Sequence, residues 1–175
     1  ITELSKRQIP FTYFSGEYES LPEETDKPND IRLLFLDINL IDDSEHENKV
    51  LKSRLIPVLK RVISVNNHPY ALIYWSRHEH HKKLIQDEIF GTELTDRSPI
   101  AYLSAVKSDY FNNDGTKTEN FDENINSLFE NIQAEISKSP VYSYILQWEN
   151  LVHSSTDISL QNTFSSDLTL HNWQN

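Results

Sequence analysis

Residues 31–40 constrain the fold more than any other part of the sequence. They form a β-rich apolar run in which one carboxylate, Asp37, stands near the end. A short apolar run without polar alternation is typical of a strand that helices cover on both faces of a parallel sheet. Asp37 would then lie at the carboxyl end of the strand, where open α/β sheets bind their ligands. A simple turn-forming or helix-capping role is the alternative.

The composition excludes several classes of protein. The 175 residues fit one domain, and 37% hydrophobic with 25% charged residues is ordinary for a globular chain. Zero Cys excludes a disulfide framework, a thiolate zinc site and a cysteine nucleophile. A net charge of −11 without a cluster of Lys and Arg opposes contact with nucleic acid. Short apolar runs and the lack of a signal-peptide pattern predict no membrane contact and a cytoplasmic location.

Strands and helices alternate through the middle of the chain. Apolar and β-branched runs predict strands, with the first one at an edge, and these runs are residues 9–15, 31–37, 70–76 and 99–107. Helical spacing predicts helices between and after them, at residues 50–65, 77–91 and 121–136. This alternation predicts a doubly wound parallel α/β sheet.

Three details of these helices are specific enough to check. Pro57 lies inside the first one and predicts a kink or a break. Gly91 is the predicted end of the second. After Pro140 the helical pattern resumes as far as Val152, and residues 154–175 are either another helix or a docked tail. We therefore expect an α/β domain over residues 1–136 and a helical extension over 137–175.

Three of the predicted strands end on side chains with complementary chemistry. They are Asp37, Ser76 and Lys107, and the carboxyl ends of parallel strands meet at one edge of the sheet. A carboxylate can attack phosphorus, while a hydroxyl and an amine hold the phosphoryl oxygens and Mg²⁺ offsets their charge. This set of side chains favours acyl-phosphate chemistry.

The segment LDINL at residues 36–40, followed by Ser76 and Lys107 at successive strand ends, resembles bacterial response-regulator receiver domains. It is similar above all to the divergent receivers of bacterial conflict and phage-defence loci. The resemblance implies a flavodoxin-like fold, with Asp37 as the phosphoacceptor, Ser76 as the switch hydroxyl and Lys107 as the phosphate-pairing lysine. It also implies Mg²⁺ held by Asp37 and the backbone carbonyl of Asn39, a sensor kinase or other phosphodonor, and a partner or linked effector protein.

The chain departs from the receiver pattern in three respects. Receivers bind their metal mainly through an acidic pair after the first strand, and this chain starts later, inside what would be the first helix. We therefore expect about 20 to 40 further N-terminal residues, enough for a strand and part of a helix. Ser108 follows Lys107 where receivers commonly have Pro, and an acidic insert replaces the usual second helix.

Two functions from different classes remain open. The first is a signalling domain, not an enzyme, that is phosphorylated on Asp37 and then changes the surface it offers to a partner. The second is a pseudo-receiver that never takes phosphate and serves as a protein-interaction module. A hydrolase or nuclease ranks third, because the chain has no Gly-x-Ser-x-Gly elbow and only three Gly.

Other candidate sites have simpler explanations. A polar stretch at a predicted helix start is a solvated cap rather than a metal site: His78, Glu79, His80 and His81. An acidic loop is a helix cap rather than a cation site: Asp42, Asp43, Glu45 and Glu47. Three aromatic residues are expected to pack the last helix onto the domain, with an exposed subset available to a partner: Tyr142, Tyr144 and Trp148.

Overall fold

The structure is a computed structural model, and it describes residues 2–25, 27, 30–38, 48–77 and 79–170. The chain divides into two compact units, residues 1–129 and 130–175. No helix in the described part of the chain is both long and apolar enough to cross a bilayer.

A three-stranded parallel sheet forms the centre of the first unit. Its strands are β1 (Leu33–Leu36), β2 (Ala71–Ser76) and β3 (Ala101–Val106), in that order across the sheet. Leu36 is in register with Tyr74, and Ser76 with Val106. The predicted α/β class with a parallel sheet is confirmed, and the three strands lie within one or two residues of their predicted positions.

Only the middle strand is covered on both faces. All residues of β2 except Trp75 are buried, whereas most residues of β1 and β3 are only half-buried. Among the described strands, β1 and β3 each have one neighbour, so their outer edges are not covered by another strand. The prediction that all three strands are buried on both faces is therefore wrong for β1 and β3.

Helix α2 (Asn48–Val62) supplies much of the core that packs with the sheet. Its buried residues are spaced at three and four positions, as a single apolar stripe requires: Leu51, Leu55, Leu59 and Val62. Val50 was predicted to belong to this stripe but is exposed. The helix continues through Pro57, so the break that was one of the two outcomes predicted there does not occur. It ends three residues before the predicted Val65.

A π-helix, Leu84–Glu93, connects β2 to β3 after a 3₁₀ turn at Glu79–His81. Its predicted core positions Leu84, Ile85 and Ile89 are buried. Gly91 was predicted to end the helix, and this is wrong. Its φ is not positive, and the helix continues to Glu93. The amide of the next residue, Leu94, donates to the carbonyl of Ile89 at 2.8 Å.

The strand predicted over residues 9–15 does not form. The chain begins with α1 (Thr2–Lys6), as the helical character of the first residues predicted, and residues 9–15 then form no regular element. A strand needs a neighbour for its backbone hydrogen bonds, and none of the three described strands pairs with this segment. Phe11 and Tyr13 consequently remain exposed.

Two helices follow the sheet in sequence. Helix α3 (Phe121–Ser137) matches its predicted range to within one residue and buries Ile125, Leu128 and Ile132. Helix α4 (Pro140–Leu170) begins at a proline, which is well suited to the first turn of a helix. The hydroxyl of Ser139 caps it by accepting from the amide of Tyr142 at 3.4 Å. The tail predicted after Ser154 is therefore helical as far as Leu170.

Candidate functional site

The carboxyl edge of the sheet brings together an acid and a base that are distant in sequence. Asp37 directly follows β1, and Lys107 directly follows β3, on the far side of β2. The ammonium group of Lys107 donates to Oδ2 of Asp37 in a close ion pair. Their side chains are 18% and 30% exposed, so the pair is partly shielded from water but open to a ligand.

The third predicted member, Ser76, lies at the same edge but is buried. It is the last residue of β2 and is 1% exposed. The register places Trp75, not Ser76, level with Asp37, and Ser76 one residue further along beside Val106. Ser76 is therefore shielded from solvent at the edge where Asp37 and Lys107 are partly open.

The loop that follows β3 is tied to the end of β2. Arg77 donates from its guanidinium to the backbone carbonyl of Asn112 at 3.1 Å. The loop turns at Gly115, where φ is +82°, a conformation that favours glycine. Asp114 accepts hydrogen bonds from the amide and hydroxyl of Thr116, which lower the pKa of its carboxyl group. These contacts hold the connection beside Lys107 in a defined shape.

An aromatic cluster lies next to the ion pair. Trp75 is its centre, with ring centroids 6.1 Å from Phe35, 4.7 Å from Tyr110 and 6.4 Å from Phe111. The cluster continues to Phe121, the first residue of α3, 5.3 Å from Phe111. Burial, followed by the charge of Asp109, raises the pKa of Tyr110. These rings join the ends of β1, β2 and β3 and thereby fix the positions of the residues that follow the strands.

Sequence reasoning did not single out Trp75 or its aromatic neighbours. The usable pattern was the pair Tyr110 and Phe111 shortly after Lys107, since large aromatic side chains gain much from burial and from contact with one another. Trp75 itself was recognised only as part of an apolar run. Its position beside Asp37 depends on the register of the sheet, which no sequence pattern specified.

The predicted magnesium site is only partly described. Asn39 lies outside the described residues, and the same is true of the acidic loop at Asp42, Asp43, Glu45 and Glu47. Among the residues that the structure does describe, no three His, Cys, Asp or Glu side chains are grouped as metal ligands. Asp37 offers one carboxylate. This fits Mg²⁺, which commonly takes one or two carboxylates and keeps several waters or phosphate oxygens.

The histidine-rich stretch differs from its prediction as a solvated cap. His81 is buried, and its ring centroid lies 4.0 Å from that of the exposed His80. His78 lies outside the described residues, as does the side chain of Glu79. His81 is therefore a packing residue just before the π-helix, while His80 remains exposed to solvent.

The aromatic residues of α4 divide into two groups. Tyr142 is buried, as expected of a packing residue, whereas Tyr144 and Trp148 are 71% and 67% exposed. These two are the exposed subset that the sequence left available to a partner.

Comparison with protein-family models, with curated proteins and with solved structures finds no match to this chain. The chemistry of the site follows from its own residues.

Proposed function

We propose that this chain is a receiver-like signalling domain that accepts a phosphoryl group on Asp37. The observation that carries the proposal is the ion pair between Lys107 and Asp37 at the carboxyl edge of a parallel sheet. Asp37 and Lys107 follow different strands, and β2 lies between those strands. Their side chains can meet only if both strands end at the same edge of the sheet. This is the arrangement that the resemblance to receiver domains implies.

The proposed reaction is a phosphoryl transfer to a carboxylate. An oxygen of Asp37 attacks the phosphorus of a small phosphodonor, the bond from phosphorus to the donor's leaving oxygen breaks, and that oxygen keeps the electron pair. The product is an acyl phosphate, and no oxidation or reduction occurs. Lys107 would move its hydrogen bond from the carboxylate to a phosphoryl oxygen and so stabilise the charge that develops there.

Mg²⁺ would be held by Asp37 and, by the resemblance, by the backbone carbonyl of Asn39. When bound, it would offset the negative charge of the phosphoryl group. The flavodoxin-like arrangement belongs to the same proposal. The order β1-β2-β3 is compatible with strands three to five of such a sheet.

The experiment treats the full chain with Mg²⁺ and acetyl phosphate and measures the mass of the intact protein. We expect a gain of one phosphoryl group in the original protein and no gain in Asp37→Asn. Asp109→Asn is the matched control, because Asp109 is an exposed carboxylate only two residues after Lys107. This control should be phosphorylated as well as the original protein.

A second measurement uses beryllofluoride, a stable mimic of the acyl phosphate, with tryptophan fluorescence as the readout. Trp75 lies level with Asp37 in the sheet, so binding at Asp37 should change its emission. If neither acetyl phosphate nor beryllofluoride distinguishes the original protein from Asp37→Asn, phosphorylation is excluded. The chain would then be assigned to the pseudo-receiver class, a protein-interaction module that functions without phosphate.

A further inference from the structure

An unpaired apolar stripe runs along the first part of α4. It consists of six large hydrophobic residues, which we call the α4 stripe: Val141, Tyr144, Ile145, Trp148, Leu151 and Val152. At 3.6 residues per turn, these positions fall within about 120° of the helix circumference. Every one of them is at least 43% exposed. The α4 stripe is therefore a continuous apolar surface and not a set of scattered side chains.

The size of the α4 stripe sets it apart from ordinary surface hydrophobicity. An aromatic side chain has a surface of about 150–250 Å², and an aliphatic one somewhat less. Multiplied by the exposed fraction of each residue, these areas give the stripe a solvent-exposed surface of roughly 700 Å². The largest apolar patch on a typical monomer is about 300–600 Å². One partner in a protein interface of standard size contributes about 800 Å². The stripe alone thus supplies nearly all the surface that one side of a stable interface needs.

The charge pattern of α4 indicates which kind of partner fits. From Pro140 to the last residue of the sequence there is no Lys or Arg, and Glu149 is the one charged residue between 140 and 152. Glu149 is near His153, with Oε1 and Nε2 4.0 Å apart, and its side chain is only 17% exposed. Nucleic acid and anionic membranes require basic residues on such a helix, and α4 has none. The fitting partner is an uncharged apolar helix.

We propose that the α4 stripe is a self-association surface that pairs with the same stripe of a second copy of this chain. The spacing Val141, Tyr144, Trp148, Leu151 alternates three and four residues, as two helices packing side by side require. Two copies related by a two-fold axis present identical stripes to each other, so the surface is its own complement. None of the residues at the Asp37 site lies on α4, and the proposal is independent of phosphorylation.

The test compares two substitutions on opposite sides of the same helix. Leu151 and Leu160 are 65% and 50% exposed, and their separation of nine positions places them about half a turn apart around the helix. Leu151→Glu places a charge in the stripe, and Leu160→Glu places the same charge on the other side. Sedimentation of the full chain over a range of concentrations gives the dissociation constant of the dimer for each variant.

We expect a dimer with a dissociation constant on the order of 10 µM. Leu151→Glu should weaken it about tenfold or more, because a charge would be buried without a partner. Leu160→Glu should leave it unchanged. Circular dichroism checks that both variants keep their helical content, and Trp148→Gln provides a second disruption that adds no charge.

The emission of Trp148 separates self-association from other ways of covering the stripe. In a dimer it should shift to shorter wavelength as the concentration rises, and Trp148→Phe identifies its share of the signal. A chain that stays monomeric to about 100 µM, far above the expected dissociation constant, overturns the proposal. The proposal is also overturned if Leu151→Glu and Leu160→Glu weaken the dimer equally. It is overturned as well if Trp148 already emits at short wavelength and its emission does not change with concentration.

Discussion

At the scale of single residues, the ion pair between Lys107 and Asp37 is the feature on which the proposed chemistry depends. Both side chains are partly shielded from water, so their attraction is screened less than that of a surface pair. We expect Lys107→Met and Asp37→Asn each to lower the free energy of unfolding, and the two effects to be non-additive by about 1 kcal/mol.

A double-mutant cycle by urea unfolding measures this coupling. Lys138→Met is the control, because the Lys138 side chain is 70% exposed and pairs only locally with Glu135, three residues earlier. It should change the stability little. Additive effects of the Lys107 and Asp37 substitutions would show that the pair contributes nothing to the folded state.

Tyr70 provides a prediction about alkaline pH. Its buried hydroxyl donates to the backbone carbonyl of Arg97 at 2.7 Å, and burial raises its pKa far above the usual value. Burial and the charge of Asp87 also raise the pKa of Tyr102, to about 12. An unfolded chain releases these protons near pH 10, but the folded protein keeps them. The stabilisation that these two tyrosines contribute is therefore fully present below about pH 10. It decreases as the pH rises toward their pKa values in the folded protein.

Tyr70→Phe should lower the free energy of unfolding by about 1 kcal/mol at neutral pH, because one buried hydrogen bond is lost. Above about pH 10 the difference from the original protein should narrow, since Phe has no proton to release. Urea unfolding at neutral and alkaline pH measures both effects. Tyr13→Phe, at a tyrosine that is 64% exposed, should behave like the original protein at either pH.

How far the site could be predicted also differs from residue to residue. Asp37 and Lys107 could be found because each follows an apolar run, and the end of such a run is the end of a strand. Ser76 was placed on the correct strand end by the same reasoning. Its burial was not predictable, because burial depends on the elements that cover the sheet edge and not on the strand itself.

At the scale of elements, α2 shows that tertiary packing can outweigh a local helix breaker. Pro57 is exposed, while Leu55 and Leu59 on either side of it are buried. The packing of the apolar stripe keeps the helix continuous even though proline removes one backbone hydrogen bond. The periodicity of the leucines predicted the helix correctly, and the strength of the packing was the part that the sequence did not reveal.

Pro57→Ala should therefore raise the stability of the protein by about 1–3 kcal/mol, because the helix regains a hydrogen bond and few packing contacts are lost. Thermal unfolding measures the change. Ser53→Ala, at another exposed position of α2, is the control and should have a much smaller effect. A decrease in stability with Pro57→Ala would show that the proline ring is needed for packing.

The segment 9–15 illustrates the opposite limit of prediction. Its aromatic and β-branched residues have a high strand propensity, yet propensity supplies no hydrogen-bonding neighbour. The propensity was readable from the sequence, and the absence of pairing with a described strand was not. The π-helix after β2 likewise could not be foreseen, because its hydrogen bonds follow a pattern that apolar spacing of three and four does not distinguish from an α-helix.

At the scale of the whole molecule, the net charge of −11 bears on self-association. Two copies repel each other because both are negatively charged. The α4 stripe contains no charged residue, so it has no attractive ion pairs that salt could weaken. Raising the ionic strength from about 0.01 M to about 0.1 M shortens the screening length from about 30 Å to about 10 Å. We expect the dimer to become tighter over this range, as sedimentation at both salt concentrations would show. A looser dimer at higher salt would point to an interface held by ion pairs.

The composition and alternation of the sequence were sufficient for the α/β class and the parallel sheet, because apolar run length and helical period reflect local geometry. The same pattern predicted an apolar face on α4 with an exposed subset, but not how much of that face would be exposed. An apolar face has the same periodicity whether it packs within its own chain or against another molecule, and the exposed fractions come only from the structure.

The scarcity of basic residues near α4 also determines how that helix can be studied. Lys138 is the last Lys or Arg of the sequence, so trypsin cannot cut within residues 139–175, and amine-directed cross-linkers find no side chain there to attach to. Oxidative footprinting is the suitable method, because Tyr144 and Trp148 are exposed and react readily with hydroxyl radicals. Protection of these two rings would map directly whatever comes to cover the helix.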